Sequence, residues 1–513
     1  MSNKGRTWGA ALVVAAMAVS MTMAPSAYAE EAGATITGHV TKEATGAVTV
    51  NLFTTGGIAA GQAISTADGD YAFTGVAPGT YKMQFGFAGR FQWAHQKLGF
   101  SSATVVSVAA GDHVVVDETM LLPGYVEIHA KDAVTGRPVD KFCAGVYQDP
   151  YQCGATGGVM RLTDFDGGPR TVYIKSSDGL HARQAIGNVS ITLGQVTRLD
   201  VALKPTVAIT TTVVDRATGD PVPYVCVAAL TLTFGGVDDQ TCQYGVNYTD
   251  ELGRVTLGEL PAADYTLLVV PEDGVHGIQW VGATGGTGSQ YQAQLLHTTA
   301  GALTVAPQVR LDPAASITGT VRDADTGAPI NDGCAQVLPS KTAYGIGKAC
   351  GYSGDGTYTL SNLGPYKWPV LFSNFYTWAG NPYVGKWSGD ATDRKAATLI
   401  QAGKDQPTVL DATLTHADAP FTLKVTSADG QAYTGWFSVD VYNARTGDFV
   451  RSSDTYQGWT IHGVGMQNVH IHYVPDSPWR AGWVGGADDA SADTIKLRSD
   501  RTVTVKIVLP DPA

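Results

Sequence analysis

Charged residues are scarce in this sequence, and positive charge is the scarcer sign. Lys and Arg number 34 against 46 Asp and Glu, which gives a formal net charge of −12. Nucleic-acid binding needs a basic surface that neutralises phosphates, so this balance argues against a nucleic-acid partner. Long apolar runs are also missing after residue 29, and without them we expect no membrane span in the mature chain.

Recognisable catalytic motifs are absent as well. Neither H-x-x-E nor H-E-x-x-H occurs, so the sequence contains no zinc-hydrolase signature. The segment "GYSGDG" (351–356) misses the nucleophile pattern G-x-S-x-G because position 355 is aspartate. No pair among the 46 acids is singled out for glycoside hydrolysis. The sequence therefore predicts a protein that is not an enzyme and needs no cofactor.

The N-terminus has the three parts of a secretory signal peptide. Lys4 and Arg6 supply positive charge, "WGAALVVAAMAVSMTM" is apolar, and Ala27-Tyr28-Ala29 fits the small-x-small cleavage rule. We expect residues 1–29 to be removed. Their loss removes two cations and no acid, which takes the net charge from −12 to −14. The mature chain is predicted to be secreted.

Cysteine is used sparingly and only in close pairs. An even number of cysteines in an exported chain predicts disulfides. The spacings of ten, sixteen and sixteen residues do not fit the C-x₂₋₄-C knuckles of zinc sites. The predicted disulfides are Cys143–Cys153, Cys226–Cys242 and Cys334–Cys350.

What the sequence does contain is repetition. An alternating strand, a turn with Thr-Gly and a second strand recur, for example in "AITTTVVDRATGDPVPYVCVAAL" (208–230) and "SITGTVRDADTGAPINDGCAQVL" (316–338). In these turns Asp can accept bonds from nearby backbone amides, and Gly can adopt positive φ. A second hairpin follows, as in "DGDYAFTGVAPGTYKMQF" (68–85), whose apolar residues alternate as in strands that bury one face.

No segment shows a convincing helical apolar stripe, so the chain is predicted to be all-β. Short strands with frequent turns favour β-sandwiches in tandem. The proline-containing segments "LLPGY", "LKPTV" and "LDPAAS" separate the repeats. The predicted repeats are 30–123, 124–205, 206–313, 314–415 and 416–513.

The pattern G-x-V-x-D-x-x-T-G-x-P followed by G-x-Y-x-L-x-x-L-x-x-G-x-Y resembles the carboxypeptidase regulatory-like domain. The resemblance implies tandem Greek-key sandwiches, immunoglobulin-like or transthyretin-like in type, that are related to CNA-B modules and to starch-binding-like, carbohydrate-binding folds. Such domains are typically non-catalytic. CNA-B relatives can carry a Lys–Asn crosslink between the first and last strands. Lys131 and Lys424 lie near first strands, but no repeat has an evident asparagine on its last strand, so we expect no crosslink.

Aromatic residues mark the most informative loops. The segment "NFYTWAGNPYVGKWSG" (374–389) makes Tyr376, Trp378, Tyr383 and Trp387 candidate ligand-binding residues, because exposed aromatic faces stack on sugars or partner proteins. The alternative is that Trp caps the open end of a sandwich, which we favour for Trp93 and Trp280.

Two histidines form a weaker candidate site. On a strand, His470 and His472 would share one face and could chelate a metal, with His462 as a third ligand. Because no carboxylate accompanies them in the sequence, half-exposed, solvated histidines are the better interpretation, and we predict no metal site.

Two functions follow from these observations. The first is a secreted, non-catalytic scaffold or adhesion-type protein that meets a cell-surface protein. The alternative is a polysaccharide-binding protein, which the starch-binding-like resemblance implies; amylase-type activity is a third hypothesis that rests on fold kinship alone. We expect a monomer, since repeated sandwiches need no association to be stable.

Overall fold

The computed structural model describes most of the chain, and its regular structure is almost entirely β. Among the described residues the helical elements are two 3₁₀ turns, Gln290–Gln292 and Asp489–Ser491. None of the described helices is long and apolar enough to cross a membrane. The described ranges are 33–148, 152–165, 167–232, 242, 247–339, 346–351, 354–374, 383–416, 419–454 and 459–510. The predicted signal peptide lies outside them.

The strands fall into five groups, and each group forms its own sheets. We call these groups sandwiches 1 to 5. Sandwich 1 contains β1 (Ala34–Thr41), β2 (Thr49–Thr54), β3 (Ala59–Ile64), β4 (Asp70–Val76), β5 (Gly79–Phe87), β6 (Arg90–Trp93), β7 (Val105–Val108), β8 (His113–Val115) and β9 (Glu118–Thr119). Sandwich 2 contains β10 (Gly124–Asp132), β11 (Phe142–Gly145), β12 (Gln152–Cys153), β13 (Val159–Phe165), β14 (Gly168–Ser176), β15 (Gln184–Ile191) and β16 (Val196–Leu203).

Sandwich 3 also begins with a long strand, of nine residues. It contains β17 (Val207–Asp215), β18 (Cys226–Leu230), β19 (Arg254–Leu260), β20 (Asp264–Val270), β21 (Gln279–Val281), β22 (Gly286–Thr287), β23 (Leu296–His297), β24 (Leu303–Val305) and β25 (Val309–Leu311). Sandwich 4 contains β26 (Ala315–Asp323), β27 (Gly333–Gln336), β28 (Lys348–Cys350), β29 (Thr357–Leu363), β30 (Lys367–Trp368), β31 (Leu371–Asn374), β32 (Lys386–Trp387), β33 (Ile400–Gln401), β34 (Thr408–Val409) and β35 (Ala412–Leu414). Sandwich 5 contains β36 (Phe421–Ser427), β37 (Phe437–Asn443), β38 (Phe449–Asp454), β39 (Thr460–Ile461), β40 (Asn468–Pro475), β41 (Gly482–Trp483), β42 (Ile495–Lys496) and β43 (Val503–Leu509).

One sheet of each sandwich is built around the first strand. In sandwiches 1, 3, 4 and 5 this strand pairs antiparallel with a hairpin strand on one side and parallel with the last strand or strands on the other. A register shift occurs near the start of β1, β17 and β26, at the same place in each. The repeated pairing confirms the predicted all-β fold of tandem sandwiches.

In sandwiches 1, 3, 4 and 5 the second sheet faces the first across an apolar core. Its orders include β3-β2-β5-β6 in sandwich 1 and β38-β37-β40-β41 in sandwich 5. Buried side chains alternate with less buried ones along the long first strands, as in β26, whose burial alternates along its whole length. The alternation that predicted the strands from the sequence is therefore the same alternation that builds the cores.

The chain also divides into two compact units. Unit 1 comprises Met1–Val126, Thr163–Gly168 and Ser190–Thr197, and unit 2 comprises Glu127–Leu162, Pro169–Val189 and Arg198–Ala513. All five strand groups lie inside the five predicted ranges, but the division into five domains stays a prediction. Lys424 is exposed and lies opposite Lys506 on the parallel last strand.

Candidate functional site

The described aromatic residues of the sandwich 4 loop contribute to packing. Trp387 is 4% exposed and lies on β32 opposite Leu371. Tyr383 stacks on His416 at 4.1 Å between ring centroids and donates its hydroxyl to Asp323 Oδ2 at 2.8 Å. Burial, together with this bond to a carboxylate, raises the pKa of Tyr383 to about 12. Trp387 is thus buried, and one face of the half-buried Tyr383 is covered by His416.

The other two candidates in this loop, Tyr376 and Trp378, lie outside the described residues. Beside Trp387 an open groove of about 380 Å³ is lined by charged side chains, among them Arg322, Lys386 and Asp411. The polysaccharide-binding hypothesis thus gains no support from the described residues, and the role of the four aromatic residues stays a prediction.

The tryptophans for which we favoured a capping role are buried. Trp93 on β6 is 9% exposed and lies 5.2 Å from Phe100 and 5.5 Å from Phe53 between ring centroids. Trp280 on β21 is 1% exposed. Both positions follow the tyrosine hairpin of their sandwich, and their burial supports packing rather than ligand binding.

The two candidate metal-ligating histidines have separate environments. His470 is buried, with Nδ1 2.8 Å from Asp489 Oδ1 and Nε2 3.1 Å from Thr494 Oγ1. His472 is half-buried, with its ring 5.0 Å from that of Trp483. The expectation of two half-exposed histidines is therefore wrong for His470, because its ring is buried against Asp489 and Thr494. Within the described ranges no three His, Cys, Asp or Glu side chains are grouped as metal ligands.

All three predicted disulfides form. Cys143 and Cys153 are register partners on β11 and β12, and Cys334 and Cys350 are register partners on β27 and β28. The third, Cys226–Cys242, begins on β18. Each bridge ties the second long strand of its sandwich to the segment beside it, at the edge of a sheet.

A repeated contact that sequence reasoning missed joins a turn aspartate to a distant histidine. Each aspartate accepts hydrogen bonds from backbone amides of its Thr-Gly turn through Oδ1, as the sequence predicted. Its Oδ2 then faces a histidine Nε2. The pairs are Asp132–His181 at 3.2 Å, Asp215–His276 at 2.8 Å and Asp323–His416 at 3.6 Å.

The contact in sandwich 3 is the most complete of the three. His276 lies between two carboxylates, with Nδ1 2.5 Å from Asp273 and Nε2 2.8 Å from Asp215. Burial lowers the pKa of His276, but the bonds to Asp273 and Asp215 outweigh burial, and the net pKa is raised. The bond from His276 and the turn amides in turn lower the pKa of Asp215 to about 2. These shifts favour an ion pair between His276 and Asp215. The ion pair holds the loop that contains His276 against the Thr-Gly turn that contains Asp215.

Two of these histidines end a four-residue loop that we call the junction loop: Asp178–His181 in sandwich 2 and Asp273–His276 in sandwich 3. The shared pattern Asp-Gly-Leu/Val-His is visible in the sequence and is the signal that could have found the contact. Leu180 O accepts from Thr206 N at 2.8 Å, and Val275 O accepts from Ala314 N at 2.8 Å. Each junction loop therefore pairs with the proline segment that leads into the next sandwich.

The chain just after the second junction loop also contacts sandwich 4 directly. Ile278 N donates to Asn362 O at 2.8 Å, and Gly364 N donates to Ile278 O at 2.7 Å. The backbones approach so closely that a Cβ added to Gly277 would lie 2.4 Å from Gly364 N. Only glycine fits at this position.

Apolar side chains continue across the same junction. Trp280 of sandwich 3 and Trp368 of sandwich 4 belong to one cluster of buried residues that also includes Leu268 and Ile317. A shared core of this kind distinguishes two domains that pack against each other from domains that are joined only by a flexible linker. The tryptophan predicted to cap a sandwich thus lies in a core that two sandwiches share.

A buried arginine links three successive sandwiches within unit 2. Arg394 of sandwich 4 is 3% exposed, and its Nη1 donates to Gln290 Oε1 of sandwich 3 at 2.7 Å. Its Nε lies 3.2 Å from Asp448 Oδ2 of sandwich 5, and its guanidinium lies 5.1 Å from the Tyr291 ring centroid. Next to it, Arg445 Nη1 donates to Asp393 Oδ2 at 3.1 Å. Two ion pairs therefore join sandwiches 4 and 5.

Comparisons with known proteins name no family. No protein-family model matches the chain, and no curated protein matches it. The resemblance to the carboxypeptidase regulatory-like domain is therefore not confirmed.

Solved structures of bacterial surface proteins show distant similarity. The minor pilin of Streptococcus agalactiae is 11% identical, with 34% of this chain and 96% of that chain covered at a TM-score of 0.23. The Bacillus anthracis TIE protein is 12% identical, with 72% and 68% covered at a TM-score of 0.17. The major pilin subunit of Bacillus cereus is 11% identical, with 54% and 99% covered at a TM-score of 0.14. At such low TM-scores the fold assignment rests on the strands of this chain.

Proposed function

We propose that this chain is a secreted, non-catalytic scaffold or adhesion-type protein in which sandwiches 2 to 5 are held in a fixed arrangement. The observation that carries the proposal is the repeated junction. In two successive sandwiches the same loop binds its own turn through a histidine and the next sandwich's lead-in through a backbone carbonyl. A scaffold that keeps its domains at set distances needs contacts of this kind between them. Domains that act independently can be joined by flexible linkers.

Export is supported by the three disulfides and by the signal-like N-terminus. Disulfides persist in oxidising compartments outside the cytosol. Mass spectrometry of the protein from the culture medium or cell surface tests this part. We expect an N-terminus near Glu30 and six oxidised cysteines; a retained leader with free thiols would contradict export.

The scaffold role is tested by the distance between sandwiches 3 and 4. Two labels on exposed strand positions, at Val305 and Val409 through non-natural residues, report that distance by pulsed electron spin resonance. We expect a narrow distribution in the mature chain and a broad one in Gly277→Val, because a side chain there collides with the Gly364 backbone.

The matched control is Gly187→Val on β15, where an added Cβ meets nothing within 4 Å. It should leave the distribution narrow. A broad distribution in the unmodified chain would show that the sandwiches move independently, and the scaffold proposal would then fail.

A further inference from the structure

The longest stretch of sandwich 1 without charge surrounds one edge strand. Between Glu43 and Asp68 the sequence contains no Asp, Glu, Lys, Arg, His or Pro. β2 and β3 both lie within this stretch, and β3 ends the sheet order β3-β2-β5-β6. Natural edge strands usually carry Lys, Pro or other charges that prevent pairing with another chain. This edge carries none of them.

The edge strand is also open to solvent. Five of the six residues of β3 are exposed, and Ile58 and Ile64 beside its two ends are 72% and 69% exposed. Within the described part of the chain no strand pairs with the outer side of β3. A register shift opposite Leu52 and Phe53 marks a bulge near Ala59, which leaves Gly61–Ile64 in regular register for pairing.

The corresponding edges of the other sandwiches are blocked in different ways. β12 and β28 are only two and three residues long, and each is tied to its neighbour by a disulfide. In sandwich 3 the disulfide Cys226–Cys242 holds a segment beside β18. The edge strand of sandwich 5, β38, carries Arg451 and Asp454. Sandwich 1 has neither a disulfide nor a charge at this edge.

We propose that β3 pairs antiparallel with β3 of a second copy of this chain. Free backbone amides and carbonyls on a sheet edge bind another extended strand. The second copy fits because two neutral edges meet without repulsion, although each mature chain has a predicted net charge of −14. A two-fold axis at Gln62 keeps the pairing within the regular segment and places Gln62 opposite Gln62, and Gly61 opposite Ala63, of the other chain.

Antiparallel pairing of identical edges closes on itself, because it uses β3 of both chains and leaves β6 at the far ends. The expected product is therefore a dimer and not a filament. This inference departs from the monomer expected from the sequence. It is independent of the proposed function, since a scaffold does not require self-association.

Sedimentation of residues 30–513 tests the pairing with two variants of one exposed residue. We expect a concentration-dependent dimer whose dissociation constant rises roughly tenfold in Gln62→Lys and in Gln62→Glu, because like charges then meet across the axis. An equimolar mixture of the two variants should dimerise again, because their charges are opposite. The matched control, Ser452→Lys on the exposed edge of β38, should leave the dimer unchanged.

Thermal melting of each variant checks that sandwich 1 remains folded. A chain that is monomeric at every concentration would overturn the proposal, even if it captured another extended peptide at this edge. A dimer insensitive to both Gln62 variants, or one that their mixture does not restore, would overturn it as well.

Discussion

At the scale of single residues, a glycine faces a buried tyrosine hydroxyl in two of the sandwiches. Tyr71 donates to Val116 O at 2.6 Å, and a Cβ on Gly38 would lie 2.0 Å from that oxygen. Tyr358 and Gly319 repeat the arrangement in sandwich 4. The Gly of Gly-x-Val and the Tyr of the repeated sequence pattern thus contact the same carbonyl oxygen. This contact joins the first strand, a hairpin strand and the segment that precedes the last strand.

This contact predicts that Gly319→Ala is costly. Its Cβ would lie 2.0 Å from Leu410 O and would displace the carbonyl that accepts from Tyr358. We expect the free energy of unfolding to fall by about 2–3 kcal/mol, as for overpacked cores. Gly187→Ala, with open space around its Cβ, should be neutral or stabilising by less than about 1 kcal/mol. Urea unfolding of both variants measures the difference; equal stability would contradict the argument.

At the scale of elements, the disulfides determine how each sheet edge ends. In sandwiches 2 and 4 the bridge joins register partners, so a strand of only two or three residues stays paired. Short strands contribute few hydrogen bonds, and a crosslink compensates by limiting the unfolded chain. Sandwiches 1 and 5 have six-residue strands at the same place and no bridge.

Replacing Cys334 and Cys350 together by Ala should therefore release β28. For a bridge that spans 16 residues we expect a loss of about 3 kcal/mol of stability. Amide hydrogen exchange should quicken at Lys348–Cys350 while β2 and β3 of sandwich 1 keep their protection. Unchanged exchange in β28 would show that strand pairing alone holds this edge.

At the scale of the whole molecule, buried polar residues join neighbouring sandwiches within unit 2. Burial raises the pKa of Asp448 to about 6, against the attraction of Arg394 and a hydrogen bond from Thr446, while Asp393 adds to the rise. The folded pKa lies above the ordinary aspartate value of 3.8. Stabilisation linked to this carboxyl is therefore complete below about pH 4 and is lost as the pH rises through 6.

Asp448→Asn should remove that pH dependence. The loss of the ion pair with Arg394 changes the stability of the variant by an amount that sets its starting value at pH 4. As the pH rises from about 4 to 7, the stability of the variant relative to the unmodified chain should increase from that value. Thermal melting across this range gives the difference. Parallel curves for the two proteins would contradict the raised pKa.

Asp323→Asn serves as the control, because the pKa of Asp323 is shifted in the opposite direction to that of Asp448. Bonds from the Thr326 backbone and from Tyr383 lower the pKa of Asp323 to about 2, so its stabilisation is present above pH 4 and is lost as the pH falls toward 2. The free energy of unfolding of this variant should be lower than that of the unmodified chain. The difference should stay constant between pH 4 and 7 and become smaller in stronger acid.

Local pattern was enough to predict much of this protein. Alternation along the strands predicted the all-β fold, and the proximity of paired cysteines in the chain predicted all three disulfides. The Asp and Gly of the Thr-Gly turns were predicted from backbone chemistry alone, and Gly136, Gly219 and Gly327 do adopt positive φ. These features depend on neighbours within a few residues, which a single sequence displays directly.

Contacts between distant segments were decided by the tertiary structure. His181 and His276 meet aspartates 49 and 61 residues away, and Arg394 meets Asp448 of the next sandwich. Trp280 was predicted to cap one sandwich and instead lies in a core shared by two. Which face of a strand meets another sandwich depends on how the sheets stack, and strand alternation carries no information about that stacking. The sequence by itself thus determined the sandwiches and their disulfides, while the tertiary structure decided how they dock.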